Sequence, residues 1–250
     1  MAKPNLDGLR VAILAADGVE QIELTGPRDE LVEHGAEVEV VSLRPGSIQG
    51  MNLMKPGKKI DVDRAVSTAD PGDYDALLLP GGHINPDFLR QSDRVLDFVR
   101  AMDRAGKPIA VICHAPWVLV SAGLVRGRRL TSWPGIRDDV RNAGGAWVDE
   151  AAVRDRNWVS SRGPQDLRKF NRAMLELFSE HAIFAEDDQG AGVSLGGLVA
   201  SGLALAAIGY GLRQWQGGDG GEGWKRGDGD PGYRGMATAD TRHVEADVAL

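Results

Sequence analysis

The chain has 250 residues, 42% of them hydrophobic, which is enough for one large domain or for a medium domain with an appendage. Its formal net charge of −7 argues against nucleic acid as the main partner, because binding phosphates requires a basic surface. A single cysteine excludes an intramolecular disulfide, and the amino-terminal residues lack the basic-then-apolar pattern of a secretory signal. We therefore expect a reducing, cytoplasmic compartment.

Predicted strands and helices alternate through residues 1–185. They are, in chain order, a strand at 10–15, a helix at 22–34, a strand at 37–43, a hairpin or loop insertion at 48–62, a strand at 76–80, a helix at 92–105, a strand at 108–113 and helices at 115–122, 136–143 and 164–180. Repeated strand–helix–strand units favour a mostly parallel sheet with helices on both faces. The sequence therefore predicts an α/β fold whose functional residues gather at the carboxyl ends of the strands.

Residues 186–250 differ in composition from the rest of the chain. Residues 189–212 carry no charged side chain and, as a helix, are long enough to cross a hydrocarbon core of roughly 30 Å. Membrane contact through this segment, and packing of an apolar helix on the domain or on a second subunit, both remain open. We predict a globular domain at 1–185, an apolar Gly/Ala-rich helical segment at 186–215 and a disordered, Gly- and charge-rich tail at 216–250.

The lone cysteine, Cys113, stands between a predicted buried strand and a predicted helix. A residue at such a turn is pushed out of the sheet, often with strained backbone geometry. The start of the helix stabilises negative charge and so favours the thiolate, which is the nucleophilic form. His114 follows directly, and its backbone N–H can form half of an oxyanion hole even if its side chain points elsewhere. A small buried hydrophobe is the alternative for any lone cysteine.

Two further segments follow other predicted strands. Gly81 and Gly82 close the strand at 76–80, where paired glycines let the backbone approach a ligand and present free N–H groups. Glu20 lies just past the first strand, where a carboxyl group could face the thiol and, if buried, stay protonated. A tight turn and a solvated glutamate are the respective alternatives. Because parallel strands end at the same edge of a sheet, we expect these segments to converge on Cys113.

Several segments together resemble one known family. They are AADGVEQIEL, LLLPGGHINPDFLR, GKPIAVICHAPWVL, AGLVRGRRLTSWPGIRDDVRNAGGAWVDE and NWVSSRGPQDL. In collinear order over about residues 9–180 they resemble the PfpI-type intracellular proteases of the class I glutamine-amidotransferase-like superfamily. The resemblance implies a flavodoxin-like three-layer sandwich with a mostly parallel sheet, and assembly as a dimer or hexamer. It also implies that Cys113 is the nucleophile, with His114 and Glu20 beside it.

The resemblance assigns further positions. Asp87 stands where some members carry an acidic residue that reaches the histidine of a neighbouring subunit, and it is one methylene shorter than the glutamate of the archaeal protease-type members. His83 falls where several members also have a histidine, which implies a place at the pocket or on a surface loop. Ala115 replaces a frequent glycine, and Trp117 is a candidate pocket wall. No cluster of histidine, cysteine and acidic residues has metal-ligand spacing, so we expect neither metal nor cofactor.

Members that resemble this chain are called cysteine peptidases, glyoxalases that add water to α-oxoaldehydes, or deglycases of early glycated amines and thiols. All three activities begin with attack of a thiolate on a carbonyl and need an oxyanion hole. The expected substrate is therefore a small carbonyl compound or a peptide, with small-carbonyl chemistry ranked slightly higher and a role in stress protection. The alternatives are a non-catalytic redox sensor with an oxidisable Cys113 and a membrane-tethered protective module.

Overall fold

The computed structural model describes residues 4–190, and the side chains of residues 4–182. The strands are β1 Arg10–Leu14, β2 Val19–Glu20, β3 Glu37–Ser42, β4 Gly46–Asn52, β5 Lys55–Val62, β6 Arg64–Ala65, β7 Ala76–Leu79, β8 Ile109–Ile112, β9 Arg129–Leu130, β10 Ala146–Trp147, β11 Ala152–Asp155 and β12 Trp158–Ser161. The helices are α1 Gln21–Glu33, α2 Asn85–Arg90, α3 Asp93–Arg104, α4 Pro116–Ser121, α5 Arg137–Asn142 and α6 Leu167–Gly190.

A seven-stranded sheet forms the centre of the domain, in the order β11-β12-β8-β7-β1-β3-β6. Every neighbouring pair is parallel except β11 and β12, which are antiparallel. The central strands β1, β7 and β8 are almost entirely buried. Their continuous runs of apolar side chains are typical of strands that are covered on both faces. The predicted mostly parallel α/β sheet is therefore confirmed.

Two apolar clusters lie on opposite faces of this sheet. One includes residues of α3 and α4, such as Val99 and Leu119, and the other includes residues of α1 and α6, such as Leu31 and Phe170. Successive side chains of a strand point to opposite faces, so alternate residues of β1 contribute to different clusters. The helices thus sandwich the sheet, and the predicted three-layer architecture is confirmed.

The structure adds elements that the sequence did not predict. Helix α2 is only six residues long, and β11 and β12 are joined by the two residues Arg156 and Asn157. Arg156 takes a left-handed conformation with φ of 54° although it is not glycine, so the usual glycine signal of a tight hairpin is missing. Residues 46–62 form the antiparallel hairpin β4–β5, which decides between the two predicted alternatives for this segment.

The predictions for the carboxyl-terminal part remain predictions. Helix α6 continues to Gly190, past the predicted boundary at residue 185, and most of the segments at 186–215 and 216–250 lie outside the described residues. Among the helices that the structure describes, none is both long and apolar enough to cross a membrane. Residues 189–212, through which membrane contact was predicted, lie almost wholly outside the described part of the chain.

Candidate active site

Cys113 occupies the turn between β8 and α4, with a φ of 63° and only 5% of its surface exposed. Left-handed backbone costs energy at any residue other than glycine, so the surrounding structure must hold it in place. The N–H of Cys113 donates to the carbonyl of Ser161 at 3.0 Å, and its carbonyl accepts from the N–H of Trp133 at 2.8 Å. The strained geometry is thus fixed by bonds to two distant segments.

The carboxyl group beside the thiol belongs to Glu23, in the first turn of α1. Glu23 is fully buried, and its Oε2 accepts a hydrogen bond from the N–H of Gly81 at 3.0 Å. Burial, more than the nearby charge of Glu20, raises the pKa of Glu23 to about 8, although its interactions with the Cys113 thiol and with the glycine N–H groups oppose this. The other oxygen, Oε1, is buried without a hydrogen-bond partner.

This position corrects the sequence prediction, which assigned that role to Glu20. Val19 and Glu20 form the short strand β2, which pairs with β4, and the Glu20 Oε2 accepts a hydrogen bond from the N–H of Leu53 at 2.9 Å. Glu20 therefore holds the tip of the β4–β5 hairpin. Glu23 follows three residues later, on the first turn of the helix, and its side chain reaches the thiol.

The thiol and this carboxyl group titrate as a pair. Burial, followed by the negative charge of Glu23, raises the pKa of Cys113, whereas the backbone N–H groups of Gly82 and His114, which are directed at the sulfur, lower it. When Glu23 is protonated, its opposing charge disappears and the two N–H groups favour the thiolate. The two groups are coupled, because a charged Glu23 opposes ionisation of the thiol and protonation of Glu23 removes that opposition.

The His114 ring also reaches the thiol, which the sequence could not establish. Its Nδ1 lies 3.2 Å from the Cys113 Sγ. Burial, assisted by the nearby His83, lowers the pKa of His114 to about 4. The ring is therefore neutral at pH 7, and in the tautomer with its proton on Nε2 its Nδ1 can accept a hydrogen bond from the thiol.

Aromatic rings surround His114. Its ring centroid lies 5.9 Å from that of His83, 5.4 Å from that of Trp117 and 5.7 Å from that of Trp133, with the last ring stacked at 23°. Trp133 was missed, because a tryptophan in a loop after β9 carries no chemical signature in the sequence. Trp117, the predicted pocket wall, thus lies beside His114 together with a second tryptophan, and its role as a pocket wall remains a prediction.

Asp87 lies apart from this group within one chain. It is exposed on α2, and its Oδ2 accepts a hydrogen bond from Gln91 Nε2 at 3.2 Å. Its predicted role across a subunit interface remains a prediction. In the described part of the chain, no group of three or more histidine, cysteine and acidic side chains is arranged to hold a metal ion.

Gly82 is required by both its conformation and its surroundings. Its φ is +83°, and a Cβ built there would lie 2.5 Å from the carbonyl oxygen of Gly18 and 2.6 Å from the nitrogen of Glu20. Gly106 offers a control, because its φ is +70° but no atom lies within 4 Å. We expect Gly82→Ala to lower the free energy of unfolding by about 1–3 kcal/mol more than Gly106→Ala in urea titrations. Equal losses would mean that the contacts at Gly82 relax freely.

The protonated Glu23 makes stability depend on pH in a defined direction. Between about pH 4.5, its ordinary pKa, and pH 8, the unfolded chain loses this proton while the folded chain keeps it. The folded state therefore loses stability as pH rises through this window. We expect the thermal midpoint of the wild type to fall relative to that of Glu23→Gln from pH 5 to pH 8. A constant difference between the two would show that Glu23 is ionised in the fold.

The location of the thiol, on a strained strand-to-helix turn at the carboxyl edge of a parallel sheet, defines a cysteine-dependent α/β enzyme. Residues 9–177 match the DJ-1/PfpI family, and the chain belongs to that family.

Individual relatives agree with this assignment. The chain is 46% identical over 169 residues to a deglycase of Pyrococcus abyssi, covering 68% of this chain and 99% of the relative. It is 40% identical over 170 residues to a protein/nucleic acid deglycase of Escherichia coli, covering 67% and 96%. The crystal structure of Drosophila melanogaster DJ-1beta is similar with a TM-score of 0.62 and 27% identity, over 71% of this chain and 97% of that one.

Proposed function

We propose that this protein converts small α-oxoaldehydes, and their early adducts with amines and thiols, into 2-hydroxy acids. The observation that carries the proposal is the buried Cys113–Glu23 pair with a neutral His114 3.2 Å from the sulfur. This arrangement supplies a nucleophile, a proton donor and a proton acceptor within one pocket. The deglycase names of the two relatives support the same chemistry.

The first step is addition of the thiol to the aldehyde carbon. The sulfur forms a bond to carbon as its proton passes to the Nδ1 of His114, and the carbonyl oxygen becomes negatively charged. The N–H groups of Gly82 and His114, which are directed at the sulfur, then stabilise that oxygen. Protonation of the oxygen then gives a hemithioacetal. With a glycated amine, the thiol displaces the amine and forms the same intermediate.

The remaining steps need no oxidant or reductant. A base removes the proton from the former aldehyde carbon, and a proton returns to the neighbouring keto carbon, which leaves a thioester of the 2-hydroxy acid. Water then attacks the thioester carbonyl, releasing the acid and restoring the thiol. His114 and Glu23 are the groups placed to move these protons, because both lie against the sulfur and the pKa of Glu23, about 8, is near neutral pH.

The burial of the thiol favours small substrates over polypeptides. Cys113 is 5% exposed, and three aromatic rings surround the neighbouring His114. An aldehyde of a few atoms can enter such a pocket, whereas an extended polypeptide needs an open groove. This is the argument for ranking carbonyl chemistry above peptide cleavage.

The test compares three substrates with the full chain. Release of lactate is measured from methylglyoxal and from methylglyoxal-treated N-acetylarginine, and cleavage is measured with fluorescently labelled casein. We expect lactate from both small substrates and little release from casein. Cleavage of casein without lactate would replace the proposal with a peptidase. No reaction in folded protein would favour the second candidate.

That second candidate is a redox sensor. A protonated carboxyl group beside the thiol, as expected for Glu23, could donate a hydrogen bond to an oxidised sulfur and so favour its formation. Intact mass measurements after peroxide treatment would then show oxygen added at Cys113, with less added in Glu23→Gln.

We further propose that the protein is a cytoplasmic homo-oligomer. Exposed apolar side chains support a contact between copies, notably Leu53 at 72% and Met54 at 76% exposure, with Phe88 at 45% on the same helix as Asp87. Contact of Asp87 with a partner subunit and membrane contact through residues 189–212 are part of this proposal. Light scattering after gel filtration, with and without residues 186–250, tests the oligomeric state. Membrane contact through residues 189–212 is tested by whether the full chain sediments with membranes and whether this is lost when residues 186–250 are deleted.

A further inference from the structure

Asn85 is a fully buried polar residue that links two strand ends at the active site. Its Oδ1 accepts a hydrogen bond from the N–H of Ala16 at 2.7 Å. Its Nδ2 donates to the carbonyl of Pro80 at 2.7 Å and to the carbonyl of Gly81 at 3.0 Å. The amide orientation is determined by its partners, since one is a donor and two are acceptors. All three bonds together join the segment after β1 to the segment after β7.

These bonds fix the direction of the peptide group between Gly81 and Gly82. The Gly81 carbonyl receives hydrogen bonds from the Asn85 Nδ2 and from the N–H of Glu20 at 3.3 Å. A trans peptide is planar, and its C=O and N–H point in opposite directions. A carbonyl held toward Asn85 therefore turns the Gly82 N–H away from Asn85, and this N–H is directed at the Cys113 sulfur.

We infer that Asn85 is a positioning residue that aims the Gly82 N–H at the sulfur and at the oxygen of the reacting carbonyl. It touches neither, and acts through the Gly81–Gly82 peptide. The part of the inference that concerns the oxygen of the reacting carbonyl rests on the proposed function. The part that concerns the sulfur does not depend on it. Without the Asn85 donor, the Gly81 carbonyl keeps only the longer bond from the Glu20 N–H, at 3.3 Å, and the glycines on both sides of the peptide permit a wide range of backbone angles.

If Asn85 had only a structural role, its loss would lower stability without altering the reactivity of the Cys113 thiol. Asn157 supplies the matched control, because it also makes several hydrogen bonds through its side chain. Its Nδ2 donates to the Lys107 carbonyl at 3.0 Å, and its Oδ1 accepts from Arg128 at 2.9 Å. It lies in the turn between β11 and β12, outside the group of residues that contact Cys113. Loss of this amide should lower stability without altering the thiol.

The experiment compares Asn85→Ala, Asn85→Ser and Asn157→Ala in the full chain. The first readout is the rate of Cys113 alkylation by iodoacetamide against pH, which reports on the only thiol of the chain. We expect both Asn85 variants to shift the midpoint of this profile to higher pH, with the serine variant shifted less because its hydroxyl can still donate one bond. Asn157→Ala should keep the wild-type midpoint despite a lower melting temperature. An unshifted midpoint in both Asn85 variants would overturn the inference.

The second readout is the kinetics of lactate release from methylglyoxal. We expect Asn85→Ala to lower kcat at least about tenfold while KM changes less, since an oxyanion donor acts mainly in the transition state. A change confined to KM would overturn this part. If the wild type releases no lactate, the proposed function fails, whereas the alkylation profile still decides the role of Asn85.

Discussion

Cys113→Ser is expected to lower the release of lactate from methylglyoxal at least about 10³-fold, the largest effect of any single substitution in this chain. Serine keeps the size of the side chain, so the strained turn and its bonds to Ser161 and Trp133 should persist. A hydroxyl is a far weaker nucleophile at neutral pH, and the neutral His114, with its pKa near 4, is too weak a base to activate it.

The control for this prediction is to verify that the Cys113→Ser variant folds like the wild type. Circular dichroism and the melting temperature should place Cys113→Ser close to the wild type. Turnover within tenfold of the wild type would show that another group attacks the carbonyl.

Glu23→Gln is expected to lower kcat for the same reaction about 10²-fold or more, because the amide cannot donate and recover a proton as a carboxylic acid does. Glutamine should still accept the Gly81 N–H through its side-chain oxygen, which limits the effect on the backbone. The pH profile should change as well, since the group titrating near pH 8 is removed.

Glu20→Gln is the matched control for Glu23→Gln. It makes the same chemical change three residues away, at a side chain whose hydrogen bond goes to the N–H of Leu53. A glutamine can accept that bond too, so we expect turnover within a few-fold of the wild type. The reverse order of effects would restore the assignment of the active carboxyl group to Glu20.

Sequence patterns predicted the architecture well because the strands and helices depend mainly on residues that are close together in the chain. Continuous apolar runs identified the buried strands, and the position of Cys113 after such a run predicted the strained turn. The short helix α2 and the hairpin at Arg156 were missed, since neither carries a strong local signal.

The site was harder to predict because its contacts join distant segments. The bond from Ala16 to Asn85 spans 69 positions, and the stacking of Trp133 on His114 joins two separate loops. Residues 15–24 contain two glutamates, and only the pairing of β2 with β4 determines that Glu20 faces the hairpin while Glu23 faces the thiol. No pattern in one segment contains that information.

The most direct test of the central claim is to follow alkylation and activity in the same sample. Wild-type protein is treated with iodoacetamide, and at intervals the fraction of chains that carry one label is measured by intact mass while lactate release is assayed. Because the chain has one cysteine, every label reports on Cys113. Catalysis by this thiol predicts that activity falls in direct proportion to labelling and reaches zero when every chain is labelled. Fully labelled protein that still releases lactate would contradict it.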